Sequence, residues 1–160
     1  MRVAVYPGSF DPITCGHMDI IRRSSKIFDK LVVAVLNNPS KNSMFDFAER
    51  KKMIEEAISD LDNVEVDAFN GLLIDYVSQK KYDVIVKGLR AISDFESELQ
   101  MASMNRKLNS KIETLFMMTA TEYSFLSSSL VKEVFGFGGN IESLVPKNVI
   151  GNMIEKFTEV

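Results

Sequence analysis

The only histidine of the chain lies in a stretch rich in glycine and proline that suits phosphate chemistry. This stretch, PGSFDPITCGH, ends at His17, where a helix is expected to begin. The first turn of a helix presents unpaired N–H groups and a positive dipole, and both favour an anion. His17 could donate to the same anion, although a histidine at a helix start is often purely structural. The stretch is neither a dinucleotide-binding fingerprint nor a Walker A loop, because its glycine spacing differs from both.

Other stretches supply cations and hydroxyl groups. Lys41 follows the second apolar run, Lys87 and Arg90 enclose a glycine after the fourth, and residues 121–129 are rich in hydroxyls. Each has a structural alternative: Lys41 as a solvated loop residue, Glu98 as a solvent-exposed charge, and the serines as helix caps. Together with His17, these groups predict a locally positive cleft that binds polyphosphates.

Hydrolase and zinc-enzyme chemistry is poorly supported. The sequence has no nucleophile elbow, no CxxC pair and no cluster of ligands at zinc spacing. A phosphate monoester is largely dianionic at pH 7 and can attack a second phosphate without a general base. Transfer between two phosphates therefore fits a site that lacks an obvious base.

Five apolar, β-branched runs have the length of buried strands, at residues 3–6, 31–36, 64–69, 83–86 and 112–118. Their continuous apolar character favours a parallel sheet with helices on both faces. Ligands of such a sheet bind at the carboxyl ends of its strands, where the stretches described above are expected. The predicted fold class is therefore α/β, with a doubly wound, five-stranded parallel sheet.

Helical spacing separates the runs. One helix is predicted over 16–28, one from Asp46 with Glu49 as its capping-box partner, and one over 72–79. A fourth is predicted from Ser93, with Glu96 three residues on, to Leu108. The last two are predicted over 127–137 and from Pro146 at a first helical position. We expect residues 127–160 to pack on the sheet in one domain of residues 1–160.

The composition limits the partners. Nineteen Lys and Arg residues against 22 Asp and Glu give a net charge of −3, which argues against a surface built for nucleic acid or anionic membranes. Cys15 is the only cysteine, so no intramolecular disulfide forms, and the N-terminus lacks the apolar segment of a secretory signal. No apolar run approaches the ~20 residues that span a bilayer. These features predict a reduced, cytoplasmic protein.

Four motifs together resemble those of bacterial phosphopantetheine adenylyltransferases. They are Gly8-Ser9-Phe10-Asp11-Pro12, Gly16-His17, Lys87-Gly88-Leu89-Arg90 and the segment from Tyr123 to Ser129. The T-x-G-H element at 14–17 by itself indicates only the wider nucleotidyltransferase superfamily. The stretches at 94–100 and 104–106 are more specific, and the resemblance extends over residues 2–150.

The resemblance implies a Rossmann-like sheet and a reaction of coenzyme A synthesis. ATP and 4′-phosphopantetheine would give dephospho-coenzyme A and pyrophosphate. The resemblance also implies Mg²⁺ carried by the ATP phosphates without protein side-chain ligands, a homohexamer, and coenzyme A as a candidate feedback ligand.

The same resemblance assigns site residues. The ATP contacts would be Ser9, Phe10, His17, Gly88, Leu89, Arg90, Glu98, Tyr123, Ser124, Phe125, Leu126, Ser127, Ser128 and Ser129. The phosphopantetheine contacts would be Ser9, Lys41, Leu73 and Lys87. Of the catalytic residues, His17 would act on the α-phosphate transition state, Lys41 between the two reacting phosphates, and Arg90 on the β and γ phosphates.

Four positions differ from forms common in the family. Ser9 replaces threonine, Cys15 asparagine, Lys87 arginine and Tyr123 tryptophan. Ser9 keeps its hydroxyl and Tyr123 its aromatic face. Lys87 keeps its charge but loses the planar fork of arginine.

Two alternatives remain open. One is a related adenylyl- or cytidylyltransferase that acts on another phosphomonoester such as nicotinamide mononucleotide, against which the Lys87-Gly88-Leu89-Arg90 motif and Glu98 count. The other is an ATP-binding sensor without catalysis. A sensor would not need cations at both ends of a transferred group, so His17, Lys41 and Arg90 favour an enzyme.

Overall fold

The computed structural model describes residues 2–37 and 42–158, and for Ile92 and Ser93 it describes the backbone only. The chain forms one sheet of five strands, β1 (Val3–Gly8), β2 (Lys30–Leu36), β3 (Val64–Phe69), β4 (Val84–Leu89) and β5 (Glu113–Met118). The strand order is β3-β2-β1-β4-β5, and every neighbouring pair is parallel. The predicted five-stranded parallel sheet is confirmed.

Helices lie on both faces of this sheet. They are α1 (Cys15–Ser25), α2 (Phe47–Ala57), α3 (Leu73–Lys80), α4 (Ile92–Leu108), α5 (Ser128–Gly136) and α6 (Lys147–Thr158), with a 3₁₀ turn at Thr121–Tyr123. Because side chains alternate along a strand, Ala4 and Tyr6 enter a core with α1, α2, α5 and α6, whereas Val5 enters a core with α3. The sheet is therefore doubly wound, as the sequence predicts.

Strand β4 is longer than predicted, and this changes the position of the cations. Lys87 and Gly88 belong to the strand and pair with Phe116 and Met117 of β5. The predicted strand 83–86 ended where the apolar residues end, but the ladder continues because backbone pairing is independent of side-chain polarity. Arg90 is consequently the first residue after the strand.

Helix caps confirm some predicted boundaries and correct others. The Asp46 carboxylate accepts from Glu49 N at 2.9 Å, and Glu49 accepts from Asp46 N at 2.7 Å, so the predicted capping box of α2 forms. The predicted start of α4 at Ser93 is wrong, because Ala91 occupies the N-cap position without a side-chain hydrogen bond. Helix α5 starts one residue after the prediction, with Ser127 as its N-cap.

The C-terminal helices contribute to the core on the α1 face. Val131 of α5 and Val149 and Met153 of α6 are fully buried. Asn148 donates to the Met53 carbonyl of α2 at 2.9 Å. Within residues 2–37 and 42–158, no helix has the length and apolar character needed to cross a membrane.

Candidate active site

A cavity of about 290 Å³ opens at the carboxyl ends of β1 and β4. These two adjacent strands are where the winding of the sheet reverses, the place at which α/β sheets bind ligands. The cavity is lined by Tyr6, Pro7, Thr14, Gly16, His17, Lys87, Gly88, Arg90, Asp94, Ser97, Glu98, Thr119, Leu126, Ser127 and Ser128. We call Thr14, Gly16 and His17 the α1 wall, and Lys87, Arg90, Asp94 and Glu98 the α4 wall.

The imidazole of His17 is oriented by the start of its own helix. The Thr14 backbone N–H donates to His17 Nδ1 at 3.0 Å, and His17 N donates to Thr14 Oγ1 at 3.3 Å. The two residues thus form a capping box in which histidine replaces the usual glutamate. Because Nδ1 accepts this bond, the neutral ring carries its hydrogen on Nε2, the nitrogen left for a ligand.

His17 is neutral at pH 7. Burial, assisted by the positive charge of Arg90, lowers the pKa of His17 from 6.5 to about 4. The ring packs edge-on against Phe10 at 5.0 Å between centroids, and Phe10 itself is buried. The α1 wall therefore presents a fixed, uncharged N–H donor.

The α4 wall carries charges that pair with each other. Arg90 Nε lies 2.9 Å from one oxygen of Asp94, and Arg90 Nη2 lies 3.3 Å from the other. Lys87 Nζ lies 3.1 Å from Glu98 Oε2, a contact without hydrogen-bond geometry, since that buried oxygen has no hydrogen-bond partner within the described part of the chain. Two cations and two carboxylates cancel, so the expected excess of positive charge is absent from the described lining.

Arg90 also reaches the segment after β5. Its Nη1 donates to the Leu126 carbonyl at 2.9 Å. Ser127 caps α5 by accepting from Leu130 N at 3.1 Å, and Ser128 Oγ donates to the Pro12 carbonyl at 2.7 Å. The N-terminus of α5 is thus held at the cavity beside Arg90.

The cavity brings together part of the predicted site. His17, Lys87, Gly88, Arg90, Glu98, Leu126, Ser127 and Ser128 line it. Ser9, Phe10, Leu73, Leu89, Tyr123, Ser124, Phe125 and Ser129 do not. Lys41 lies outside the described residues.

The predicted residues away from the cavity have other surroundings. The ring of Phe10 is buried behind His17, and Leu73 begins α3 and packs into the core on the other face of the sheet. Phe125 is exposed, and Tyr123 packs against the core near Gly16. Any ligand contact of these residues remains a prediction.

Sequence reasoning did not assign seven residues of the lining to the site: Tyr6, Pro7, Thr14, Gly16, Asp94, Ser97 and Thr119. Asp94 could have been found, since it stands four residues after Arg90, the spacing of an ion pair on a helix. Tyr6 gives no such signal, because its position on a buried strand suggests only core. Burial raises the pKa of the Tyr6 hydroxyl, which therefore stays protonated.

The described side chains do not form a metal cage. Within residues 2–37 and 42–158, no group of three or more His, Cys, Asp or Glu side chains is placed to hold a metal ion. The carboxylates of Asp94 and Glu98 face cations instead.

Comparison with known proteins finds a matching family and relatives that match over the whole chain. Residues 5–134 match the family described as cytidylyltransferase-like. The chain is 58% identical over 160 residues to a phosphopantetheine adenylyltransferase from Clostridium novyi, covering 100% of this chain and 99% of that protein. It is 60% identical over 156 residues to the enzyme of that name from Natranaerobius thermophilus, covering 98% of this chain and 96% of that protein.

Solved structures share the fold. A protein from Vibrio parahaemolyticus, provisionally assigned as a nicotinate-nucleotide adenylyltransferase, superposes with a TM-score of 0.73 at 17% identity, over 96% of this chain and 99% of that one. At that identity the likeness supports the architecture alone. The sheet that carries the two walls of the cavity therefore has an architecture that a solved structure shares.

Proposed function

This chain belongs to the cytidylyltransferase-like family and, within it, to the phosphopantetheine adenylyltransferases, and on that basis we propose how its cavity performs adenylyl transfer. The enzyme joins 4′-phosphopantetheine to the adenylyl group of ATP in coenzyme A synthesis. The observation that carries the mechanism is the α1 wall, where His17 is neutral and its Nδ1 is occupied by Thr14 N–H.

The chemical step exchanges one phosphorus–oxygen bond for another. A phosphate oxygen of 4′-phosphopantetheine attacks the α-phosphorus of ATP, and the bond from that phosphorus to the bridging oxygen of the β-phosphate breaks. Pyrophosphate leaves with the electron pair, so no proton has to move. The protein contributes position and charge stabilisation, the main effects available to phosphoryl-type transfer.

His17 acts as a donor to the α-phosphate. Its Nε2–H is held in place before substrate binds, so donation requires little reorganisation when charge grows in the transition state. A neutral ring suits this role, because it keeps the same proton through the reaction and does not compete with the substrates for one. His17 is therefore a transition-state stabiliser, and the reaction needs no general base.

Arg90 and the start of α5 receive the pyrophosphate part of ATP. Arginine has five N–H donors, and three of them bond to Asp94 and the Leu126 carbonyl. We assign the remaining two, with the Ser127 hydroxyl and the N–H groups of Ser127 and Ser128, to the β and γ phosphates. The helix dipole of α5 adds to this attraction.

We assign the acceptor to a second set of residues at the same edge of the sheet. Lys87, Ser9, Lys41 and Leu73 are the proposed contacts of 4′-phosphopantetheine, with Lys41 between the two reacting phosphates. Support comes from topology, since the elements carrying Ser9 and Leu73 follow the carboxyl ends of β1 and β3, on the edge where the cavity opens. Lys87 must then exchange Glu98 for a phosphate when substrate binds.

Mg²⁺ is proposed to enter as part of the substrate, as Mg–ATP. The acidic side chains of the lining face cations, which supports a metal bound by phosphates rather than by protein side chains. Dephospho-coenzyme A is the product, and coenzyme A is proposed as a feedback ligand, since it contains the product's structure.

A homohexamer in the cytoplasm is proposed on the family resemblance. Support for self-association comes from large apolar side chains exposed on α4 and β5: Phe95, Leu99, Met101, Met104, Leu108, Leu115 and Met118. Exposed patches of this kind commonly mark protein interfaces. Sedimentation of the purified protein measures the number of copies.

The activity is tested by pyrophosphate release and by its reverse. Purified protein with Mg–ATP should release pyrophosphate in the presence of 4′-phosphopantetheine and not with nicotinamide mononucleotide or glycerol 3-phosphate. Labelled pyrophosphate should enter ATP only when dephospho-coenzyme A is added. Folded protein that binds ATP yet fails both assays would be a sensor, and release with another phosphomonoester would reassign the acceptor.

A further inference from the structure

Arg50 is a buried cation that forms no ion pair within 4 Å among the described residues. Its side chain lies on the inward face of α2 and is 4% exposed. Arg50 Nη1 donates to the carbonyls of Ser9 at 2.8 Å and Leu36 at 3.2 Å, and Nε donates to the carbonyl of Asp46 at 3.3 Å. All three partners are neutral, so one full positive charge is buried without a partner of opposite sign in the described structure.

These three carbonyls belong to segments that meet behind the active site. Ser9 follows β1, Leu36 ends β2, and Asp46 caps α2. A planar guanidinium fixes such acceptors in one geometry, which an ammonium group cannot do. Arg50 therefore sets how the β1–α1 connection sits against the end of β2.

The contact with Ser9 also has an electrical consequence. The Ser9 carbonyl and the Phe10 N–H belong to one peptide group, so a cation on the oxygen polarises the N–H. Phe10 N–H has no hydrogen-bond partner among the described residues, and Phe10 adopts a left-handed φ of 49°. Successive N–H groups in such a turn form an anion-binding concavity.

Burying an unpaired charge is unfavourable, because water no longer solvates it. An anion bound at the Ser9–Phe10 peptide would supply the missing negative charge. We propose that Arg50 is a positioning residue for the acceptor, whose uncompensated charge and grip on Ser9 draw in and align the phosphate of 4′-phosphopantetheine. This inference rests on the proposed function, since it concerns the acceptor of that reaction.

The test compares Arg50→Met with Arg50→Lys, using Lys52→Met as the matched control. Lys52 is on the same helix, and its side chain is 75% exposed. For each variant, kcat and the KM values for 4′-phosphopantetheine and ATP are measured at several ionic strengths, together with thermal unfolding. The dependence of KM on salt reports the charge that attracts the substrate. If Arg50 had a purely structural role, its replacement would leave this dependence unchanged.

Arg50→Met should raise the KM for 4′-phosphopantetheine by about 10- to 100-fold and that for ATP by no more than about threefold, the scale expected of a misplaced substrate. Its acceptor KM should also depend less steeply on salt than that of the wild type, because one of the cations that attract the phosphate is gone. Arg50→Lys should recover that salt dependence, while its kcat should be about tenfold below that of the wild type because the three carbonyls are no longer held together. Lys52→Met should match the wild type.

Equal rises in both KM values, with the salt dependence unchanged, would overturn the proposal in favour of a structural role. If Arg50→Met does not fold, Arg50→Lys decides: wild-type kcat, or loss of the salt dependence despite the retained charge, overturns the proposal. Equilibrium binding of 4′-phosphopantetheine separates the inference from the function. Wild-type protein that binds 4′-phosphopantetheine but forms no pyrophosphate would contradict the proposed function. In that case the affinities of the variants for 4′-phosphopantetheine would still test the role of Arg50.

Discussion

The two walls of the cavity hold their hydrogen-bond donors in different ways. The α1 wall is neutral, and its donor is fixed by the capping box between Thr14 and His17. The α4 wall is partly exposed, and its cations are paired with carboxylates four and eleven residues away. A fixed donor suits a transition state, whereas paired cations suit ligands that must bind and leave.

The comparison also explains how a site without excess charge binds two polyanions. Each cation of the α4 wall can exchange its carboxylate for a phosphate. The free energy gained from the phosphate is then reduced by the loss of the ion pair. The loss of the ion pair weakens the binding of both substrate and product. The α1 wall has no such exchange, because the Nε2–H of His17 has no partner among the described residues. Mutations in the two walls should therefore change different kinetic constants.

The largest effect is expected at His17. His17→Ala should lower kcat by about 10²- to 10³-fold, the cost of removing one preorganised donor, with little change in ATP affinity. Turnover and calorimetric ATP binding measure the two quantities. Cys15→Ala is the matched control, because Cys15 is in the same turn but does not line the cavity. Unchanged turnover in His17→Ala would remove the α1 wall from the chemistry.

The next effect concerns the pH dependence of stability. The folded protein holds the pKa of His17 at about 4, whereas the unfolded value is 6.5, so the unfolded state binds more protons between these values. His17 should therefore lower the free energy of unfolding by about 3 kcal/mol in total as the pH falls from 6.5 to 4. Denaturant unfolding of wild type and His17→Gln at several pH values isolates this contribution.

Because His17 is the only histidine, its ring can be followed directly by nitrogen-detected NMR. We expect an uncharged ring with hydrogen on Nε2 at pH 6, and no titration until well below pH 5. A midpoint near 6.5, or hydrogen on Nδ1, would contradict the described α1 wall.

A smaller effect is expected at Thr14. Thr14→Ala removes the hydroxyl that caps α1 and should lower the free energy of unfolding by about 1 kcal/mol. The backbone N–H that orients His17 remains, so kcat should fall far less than in His17→Ala. Equal losses of kcat in the two variants would show that the hydroxyl, rather than the backbone, orients the ring.

The smallest effect, opposite in sign, is expected on the α4 wall. Asp94→Asn removes the charge that competes with phosphates for Arg90 and should tighten pyrophosphate binding by no more than about tenfold, the range of partly exposed ion pairs. Glu96→Gln, exposed on the same helix and outside the cavity, is the control. Weaker pyrophosphate binding in Asp94→Asn would mean that Asp94 mainly orients Arg90.

Much of the fold could be predicted from the sequence, since its signals are local. Continuous apolar runs and the Asp46–Glu49 cap marked the strands and α2 because burial and capping depend on neighbouring residues. The predicted end of β4 and the predicted start of α4 were wrong because these bounds do not depend on local signals alone. Lys87 continues the ladder because β5 is beside it, and α4 begins after Ala91, an N-cap residue that makes no side-chain hydrogen bond.

For the site, the sequence by itself determined which chemical groups are available. His17, Lys87, Arg90 and the serines before α5 were identifiable because glycine, proline and caps mark the ends of elements. Only the tertiary structure decided their state, since ionisation and pairing depend on groups distant in the chain. Burial makes His17 neutral, Glu98 contacts Lys87, and Arg50 reaches Ser9 from 41 residues away.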